Sequence, residues 1–300
     1  MSIRKLAAVL SRVLWLVFLV QAIAGIFVDM PYDYWLGWLP FVAAVALGLL
    51  PGKAARQQIA TAPRAAVEVE APVTGRWSAL NSPADKVPSH GTHGLAQTYA
   101  IDVTAEGAEP GEGAEPGEGA EPGKGARPGF AWLWPIARRP RAFPSFGAPL
   151  LAVGEATVVH AEDGQRDHFS RNSLLGLLYF FLVEGTVRGL APARRVVGNS
   201  VVLDIGDETY AMYAHVKRGS LAVRVGDRVH PGQVIAHCGN SGNSTEPHVH
   251  FQLMDGPDLD TAKGVPFRWR GIGVPANRET FTAPPLEATG PVEAAQEQRR

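Results

Sequence analysis

Hydrophobic positions along this chain follow different periods in different stretches. Residues 6–28 and 35–50 are apolar almost all round, a pattern that predicts two fully hydrophobic helices in place of amphipathic ones. A bilayer span takes about 20 such residues, so the first run is long enough to cross and the second is marginal. The stretch DMPYD between them leaves room only for a tight turn. Arg4, Lys5 and Arg12, followed by Ala22-Ile23-Ala24, also fit a cleavable signal peptide. Residues 1–52 are expected to anchor the chain to a lipid bilayer through these helices. Residues 53–71, small, polar and unpatterned, read as a linker.

From residue 72 the texture changes to short alternating segments punctuated by glycine and proline. This predicts a mainly β domain over 72–280, a compact antiparallel sheet. Two insertions interrupt it. Residues 105–129 repeat GAEPGE with decay, a composition that buries nothing and predicts a disordered or polyproline-like surface loop. Residues 170–195 contain SLLGLLYFFLVEGTVRGL, too short to span a membrane. A helix packed on the domain is expected there, with a lipid-surface helix or a partner-docking segment as alternatives. Residues 281–300, rich in Pro, Glu and Gln, are expected to form a disordered tail.

Composition narrows the chemistry. A net charge of -1 gives no global field to recruit nucleic acid. Cys238 is the only cysteine, which excludes intramolecular disulfides and thiolate zinc clusters. A metal would have to be held by histidine and carboxylate. The nine histidines all lie between His90 and His250.

The sequence EPHVHFQL (residues 246–253) looks like a half-buried strand carrying two histidines. Side chains two apart on a strand share a face, so His248 and His250 project to one side and Val249 and Phe251 to the other. Residues 99–103 also read as a strand, with Asp102 opposite Ile101 and Val103. A carboxylate there is costly to bury unless it is paired or bound to a cation. Residues 199–204 and 208–215 read as a hairpin through Gly206-Asp207, ending in Tyr213-Ala214-His215. The following segment VRVGDRVHPGQVIAHCGNSGNS leads through tight glycine turns into the paired-histidine strand.

In order, His…Asp…Tyr-Ala-His…Gly-Asn-Ser-Gly-Asn-Ser…Pro-His-Val-His resembles the lysostaphin-type zinc metallopeptidases, peptidoglycan endopeptidases also called LytM-domain proteins. The resemblance covers residues 72–267 apart from the two insertions. It implies a mainly β, lysostaphin-like fold of the duplicated hybrid motif type, with one Zn2+ ion. It implies hydrolysis of peptide bonds in the stems or cross-bridges of bacterial cell-wall peptidoglycan. Asp102 and His250 are the implied zinc ligands together with a histidine of the first motif, and His215 and His248 the implied catalytic residues. The family's first motif is a short His-x-x-x-Asp, whereas here the histidines stand further from Asp102. His93, nearer the strand, is taken as the third ligand, with His90 the alternative. His160, His168, His230 and His237 match nothing in the pattern and read as ordinary surface or turn histidines.

Two imidazoles and one carboxylate leave zinc an open position, the arrangement of a catalytic site. A neighbouring histidine takes the proton of the attacking water and passes it to the leaving amine, and another stabilises the oxyanion. Family members that have lost zinc or catalytic residues act as binding or activating modules for other wall hydrolases, which is the alternative function. The Val-Gly-Asp-x-Val-x-x-Gly-Gln cadence also resembles lipoyl- and biotinyl-type carriers, but their Met-Lys-Met hairpin is absent. For location, Arg4, Lys5, Lys53 and Arg56 flank the apolar runs in a way that favours a cytoplasmic domain. The implied substrate lies outside the cell, so a membrane-anchored, extracytoplasmic domain is expected.

Overall fold

The computed structural model of the chain describes residues 3–48, 64–107, 126–184 and 192–285. Most of the GAEPGE repeat and the last residues of the tail lie outside them. At the N-terminus α1 (Ile3–Ala24) and α2 (Leu39–Gly48) pack as a hairpin. Trp15 meets Phe41 edge-on with centroids 5.1 Å apart, and Ser11 Oγ donates to the Ala44 carbonyl at 2.7 Å.

The bilayer span expected over residues 6–28 is corrected here. Among the described residues no helix is long and apolar enough to cross a membrane. The apolar run of α1 is broken by Arg12 and Gln21. At 1.5 Å per residue, α2 reaches about 15 Å, half the thickness of a hydrocarbon core.

The strands are β1 (Val67–Val69), β2 (Gly75–Leu80), β3 (Ile101–Ala105), β4 (Pro149–Leu151), β5 (Ala156–Glu162), β6 (Ser200–Asp204) and β7 (Tyr210–Ala214). They continue as β8 (Arg228–Val229), β9 (Val234–His237), β10 (Val249–Met254), β11 (Gly264–Val265), β12 (Phe267–Trp269) and β13 (Thr280–Ala283). Two short helices, α3 (Leu174–Tyr179) and α4 (Ala193–Val197), lie between β5 and β6. The mainly β expectation holds. Nine strands form one antiparallel sheet in the order β13-β2-β3-β10-β7-β6-β5-β8, with β11 added beside β10. The β1–β12 pair is parallel, and β1 lies inside the stretch read as a linker, while β13 pairs with β2 beyond residue 280. A three-residue strand such as Val-Glu-Val is too short to show a period, so partner pairing decides it.

Alternation divides the central strand. Val249, Phe251 and Leu253 enter the main core with Ile101, Val103, Tyr213 and Trp269. Burying a side chain of this size contributes roughly 1.5–3 kcal/mol. On the opposite face stand Asp102, His250 and Gln252, floored by Met212, Ala214 and Met254. The hydrophobic core thus provides a rigid plane beneath the polar residues.

Candidate metal centre

The register of the sheet places the first pair. His250 on β10 is the direct partner of Asp102 on β3 and of Ala214 on β7. His250 Nδ1 lies 2.8 Å from Asp102 Oδ1. His90 Nε2 lies 3.0 Å from Asp102 Oδ2, and His248 Nε2 is 3.5 Å from Oδ1. His215 follows β7 with φ +60, a left-handed conformation rare outside glycine. That turn sets its ring 4.8 Å from His248 and 5.7 Å from His250, centroid to centroid.

Of the two histidines ahead of Asp102, the structure brings His90 to the carboxylate and not His93. His93 Nδ1 contacts Thr98 Oγ1 at 3.0 Å. The reason is a closed loop. Ser89 N donates to Thr98 O at 3.1 Å and Ser89 Oγ to Gln97 O at 3.2 Å. This neck brings residue 90 next to the start of β3 and sends residue 93 out along the loop. Proximity in sequence to the strand, the basis for choosing His93, does not translate into proximity in space.

The protons on these rings are assigned by their outer partners. Gln252 Nε2 donates to the Leu95 carbonyl at 2.9 Å, which turns its Oε1 toward His250 Nε2 at 3.0 Å. His250 therefore carries its proton on Nε2 and faces Asp102 with the Nδ1 lone pair. Ser89 Oγ spends its one proton on Gln97 and accepts from His90 Nδ1 at 3.0 Å, so His90 Nε2 is also a lone pair facing Asp102. His248 Nδ1 donates to the Glu246 carbonyl at 2.7 Å, with Ser244 Oγ 3.0 Å away, and His215 Nδ1 donates to the Ser241 carbonyl at 2.9 Å. All four imidazoles bind their protons outward and turn lone pairs inward.

Acceptors that converge with no proton between them repel, unless a cation sits among them. The donor set suits zinc, which takes imidazole nitrogen and carboxylate oxygen. Among the described residues two groups are compact enough to hold an ion, His90–Asp102–His250 and His215–His248–His250. The first contains the only carboxylate and leaves His215 and His248 alongside. Asn81 Nδ2 donates to Asp102 Oδ2 at 2.8 Å and fixes the carboxylate plane.

Burial alone would raise the Asp102 carboxyl. In the metal-free chain the positive charge of His90 and His248 when they are protonated, with a hydrogen bond from a protonated His250, outweighs it and holds Asp102 well below the usual carboxylate range. His215 is held well below an ordinary histidine, first by burial and then by the positive charge available on His248 and His250. His215 is thus a neutral base at neutral pH.

The Gly-Asn-Ser-Gly-Asn-Ser loop is built for close backbone crossing. A Cβ on Gly242 would sit 2.4 Å from Gly198 N, and one on Gly198 would sit 2.6 Å from the Ser241 carbonyl carbon. The crossing delivers the Ser241 carbonyl to His215. Ser244 and Gln252 were not singled out from sequence, although Gln252 stands two residues after His250 and so shares its strand face. His230 pairs at the surface with Glu155 at 2.8 Å, and His160, His168 and His237 lie outside both metal-sized groups.

Residues 182–262 match the model of peptidase family M23. This segment is a peptidase family M23 domain. The glycyl-glycine endopeptidase ALE-1 of Staphylococcus capitis is 38% identical over 85 residues, 25% of this chain and 23% of that protein. Lysostaphin of Staphylococcus simulans is 41% identical over 58 residues, 19% of this chain and 11% of that protein. The chain spans less than a quarter of the length of these relatives. Among solved structures, the catalytic domain of lysostaphin from Staphylococcus simulans superposes with a TM-score of 0.26 at 23% identity, covering 47% of this chain and 86% of that one. The M23 match contains His215, His248 and His250, while His90 and Asp102 lie upstream of it.

Proposed function

We propose that the M23 domain is a zinc-dependent endopeptidase that hydrolyses peptide bonds in bacterial cell-wall peptidoglycan. The observation that supports this reading most is the inward convergence of three imidazole lone pairs, of His90, His248 and His250, on one buried carboxylate, with His215 beside His248 and His250. His90 Nε2, Asp102 and His250 Nδ1 are the proposed zinc ligands. A zinc ion so held supplies a Lewis acid for the scissile carbonyl and lowers the pKa of its water. The rest is the work of the chain. His248 and His215 present unprotonated Nε2 atoms to the space beside the ligands. One takes the proton of the attacking water and carries it to the leaving amine, and the other donates to the developing oxyanion once protonated. Glu246 and Ser241 carbonyls hold the two rings in these tautomers.

The peptidoglycan assignment follows the relative named a glycyl-glycine endopeptidase together with the M23 match. Because peptidoglycan lies outside the cytoplasm, the domain acts there in this reading. An inactive binding module is disfavoured because both histidines of the catalytic pair stand in place. The test is digestion of purified peptidoglycan by the zinc-loaded chain, with released peptides identified by mass spectrometry. New amino termini that vanish with a chelator and in His248→Ala support it. Wall binding without any new terminus would establish the inactive module instead.

A further inference from the structure

The net charge of -1 conceals a strongly uneven distribution. Residues 126–154 contain Arg127, Arg138, Arg139 and Arg141 and no aspartate or glutamate. Arg139 and Arg141 are exposed and form no ion pair among the described residues. The same stretch displays Trp132, Leu133 and Trp134, which are 73%, 68% and 80% exposed. Exposure this high on three successive large side chains marks a protruding tip, not the wall of a groove.

The tip is braced by α3. Ala131 bridges Ser173, and Ser173 Oγ donates to the Ile136 carbonyl at 2.6 Å. Gly176 lets the helix settle on that carbonyl, since a Cβ there would come within 3.0 Å of it. Ser173 caps the helix by accepting from Gly176 N at 2.9 Å. Docked by Gly176 and the buried Phe180, the segment turns Leu178, Tyr179 and Phe181 outward. Of the stretch expected to be helical, residues 185–190 lie outside the described residues, and the helical part from Leu174 to Glu184 has an apolar outward face.

We propose that this aromatic platform, Trp132–Trp134 with the outward face of Leu178–Phe181, seats the domain on an anionic lipid bilayer. Indole and phenol rings with leucines suit the headgroup boundary, and the exposed Arg139 and Arg141 of the same stretch attract anionic lipid. A second copy of the same face is a poor occupant, since it would set like-charged arginines against one another. The platform is also tied to the metal centre. Arg127 and Asn172 both bind the Glu246 carboxylate, and the Glu246 carbonyl orients His248. Seating therefore fixes the site at a set height above the lipid surface. This contact is separate from the N-terminal hairpin and needs no bilayer span.

The experiment uses the full chain with one added cysteine, Leu133→Cys, labelled with an environment-sensitive dye; the native Cys238 is 1% exposed and escapes labelling. Vesicles of phosphatidylcholine alone and with phosphatidylglycerol are compared, and Val225→Cys, on an exposed residue outside the platform, is the control. The expected result is a blue shift at position 133 with anionic vesicles only, reversed by high salt, and none at 225. Adding Arg139→Gln and Arg141→Gln should raise the lipid concentration for half-response about thirtyfold. A chain that floats with vesicles while the dye at 133 stays unshifted would overturn the proposal and leave the contact to the hairpin. A shift that grows with protein concentration and ignores vesicles would overturn it in favour of self-association.

Discussion

Gln252 Oε1 lies 3.0 Å from His250 Nε2, and the opposite end of the same amide lies 2.9 Å from the Leu95 carbonyl. One side chain thus sets the tautomer of a proposed ligand and ties it to the loop that presents His90. Outer partners of this kind typically account for 10- to 100-fold in metal affinity. Gln252→Leu is expected to weaken zinc binding by about that factor while the sheet remains folded. Isothermal titration with zinc, paired with a circular dichroism spectrum, checks both halves.

His90→Ala and His93→Ala separate the two histidines of the loop. The His90 variant should lose zinc affinity by at least about 100-fold, more than an outer partner costs. The His93 variant should keep the metal, since its ring is hydrogen-bonded to Thr98 and lies outside both metal-sized groups. Zinc content after gel filtration decides, and metal loss in His93→Ala alone would reverse the ligand assignment.

His215→Ala tests which of the two metal-sized groups is used. With the ion on His90, Asp102 and His250, this variant retains zinc and loses activity by about 10²- to 10⁴-fold, the range for a general acid–base residue. With the ion on the three-histidine group it would lose zinc as well.

Stability of the metal-free chain should depend on pH in a defined direction. The folded His215 imidazole resists protonation, while in the unfolded chain it titrates near about 6.5. Below that pH the unfolded state binds the extra proton, so stability falls as pH drops from 7 toward 5, by at most about 1.4 kcal/mol per pH unit. Asp102, held low in the fold, adds a loss only below about pH 4. Urea midpoints at pH 7.5, 6 and 5 should show a shallower slope for His215→Gln than for the parent chain.

The crossing of Gly242 and Gly198 leaves no room for a methyl group, and Gly242 has φ +70. Gly242→Ala is expected to cost about 2–4 kcal/mol and to displace the Ser241 carbonyl from His215. Thermal melts and residual activity on peptidoglycan measure the two effects.

Much of this site was legible in the chain because strand alternation is a short-range rule. Val249 and Phe251 against His248 and His250, and Ile101 and Val103 against Asp102, separate in the sheet as their period requires. The position of His90 was not legible, because two hydrogen bonds at Ser89 close a loop that no periodicity marks. The two apolar helices and the tight turn between them were legible, but the failure of α1 to qualify as a span was not, since Arg12 and Gln21 weigh more than average hydropathy suggests. The β1–β12 pair escaped for a related reason: its stability comes from a partner two hundred residues away.

The neck at Ser89 and Thr98 has a consequence for how such sites diversify. Because the loop is cinched at its base, the distance along the chain between His90 and Asp102 is decoupled from the distance between their side chains. Residues can be added at the far bend, around His93 and Gly94, for a closure cost that grows only logarithmically, about 0.6 kcal/mol per doubling of length. A spacing-based signature reads such growth as loss of the motif, while the coordination geometry is untouched. The same bend is accordingly a port where a reporter peptide or an affinity tag could be grafted without disturbing the chemistry beneath it.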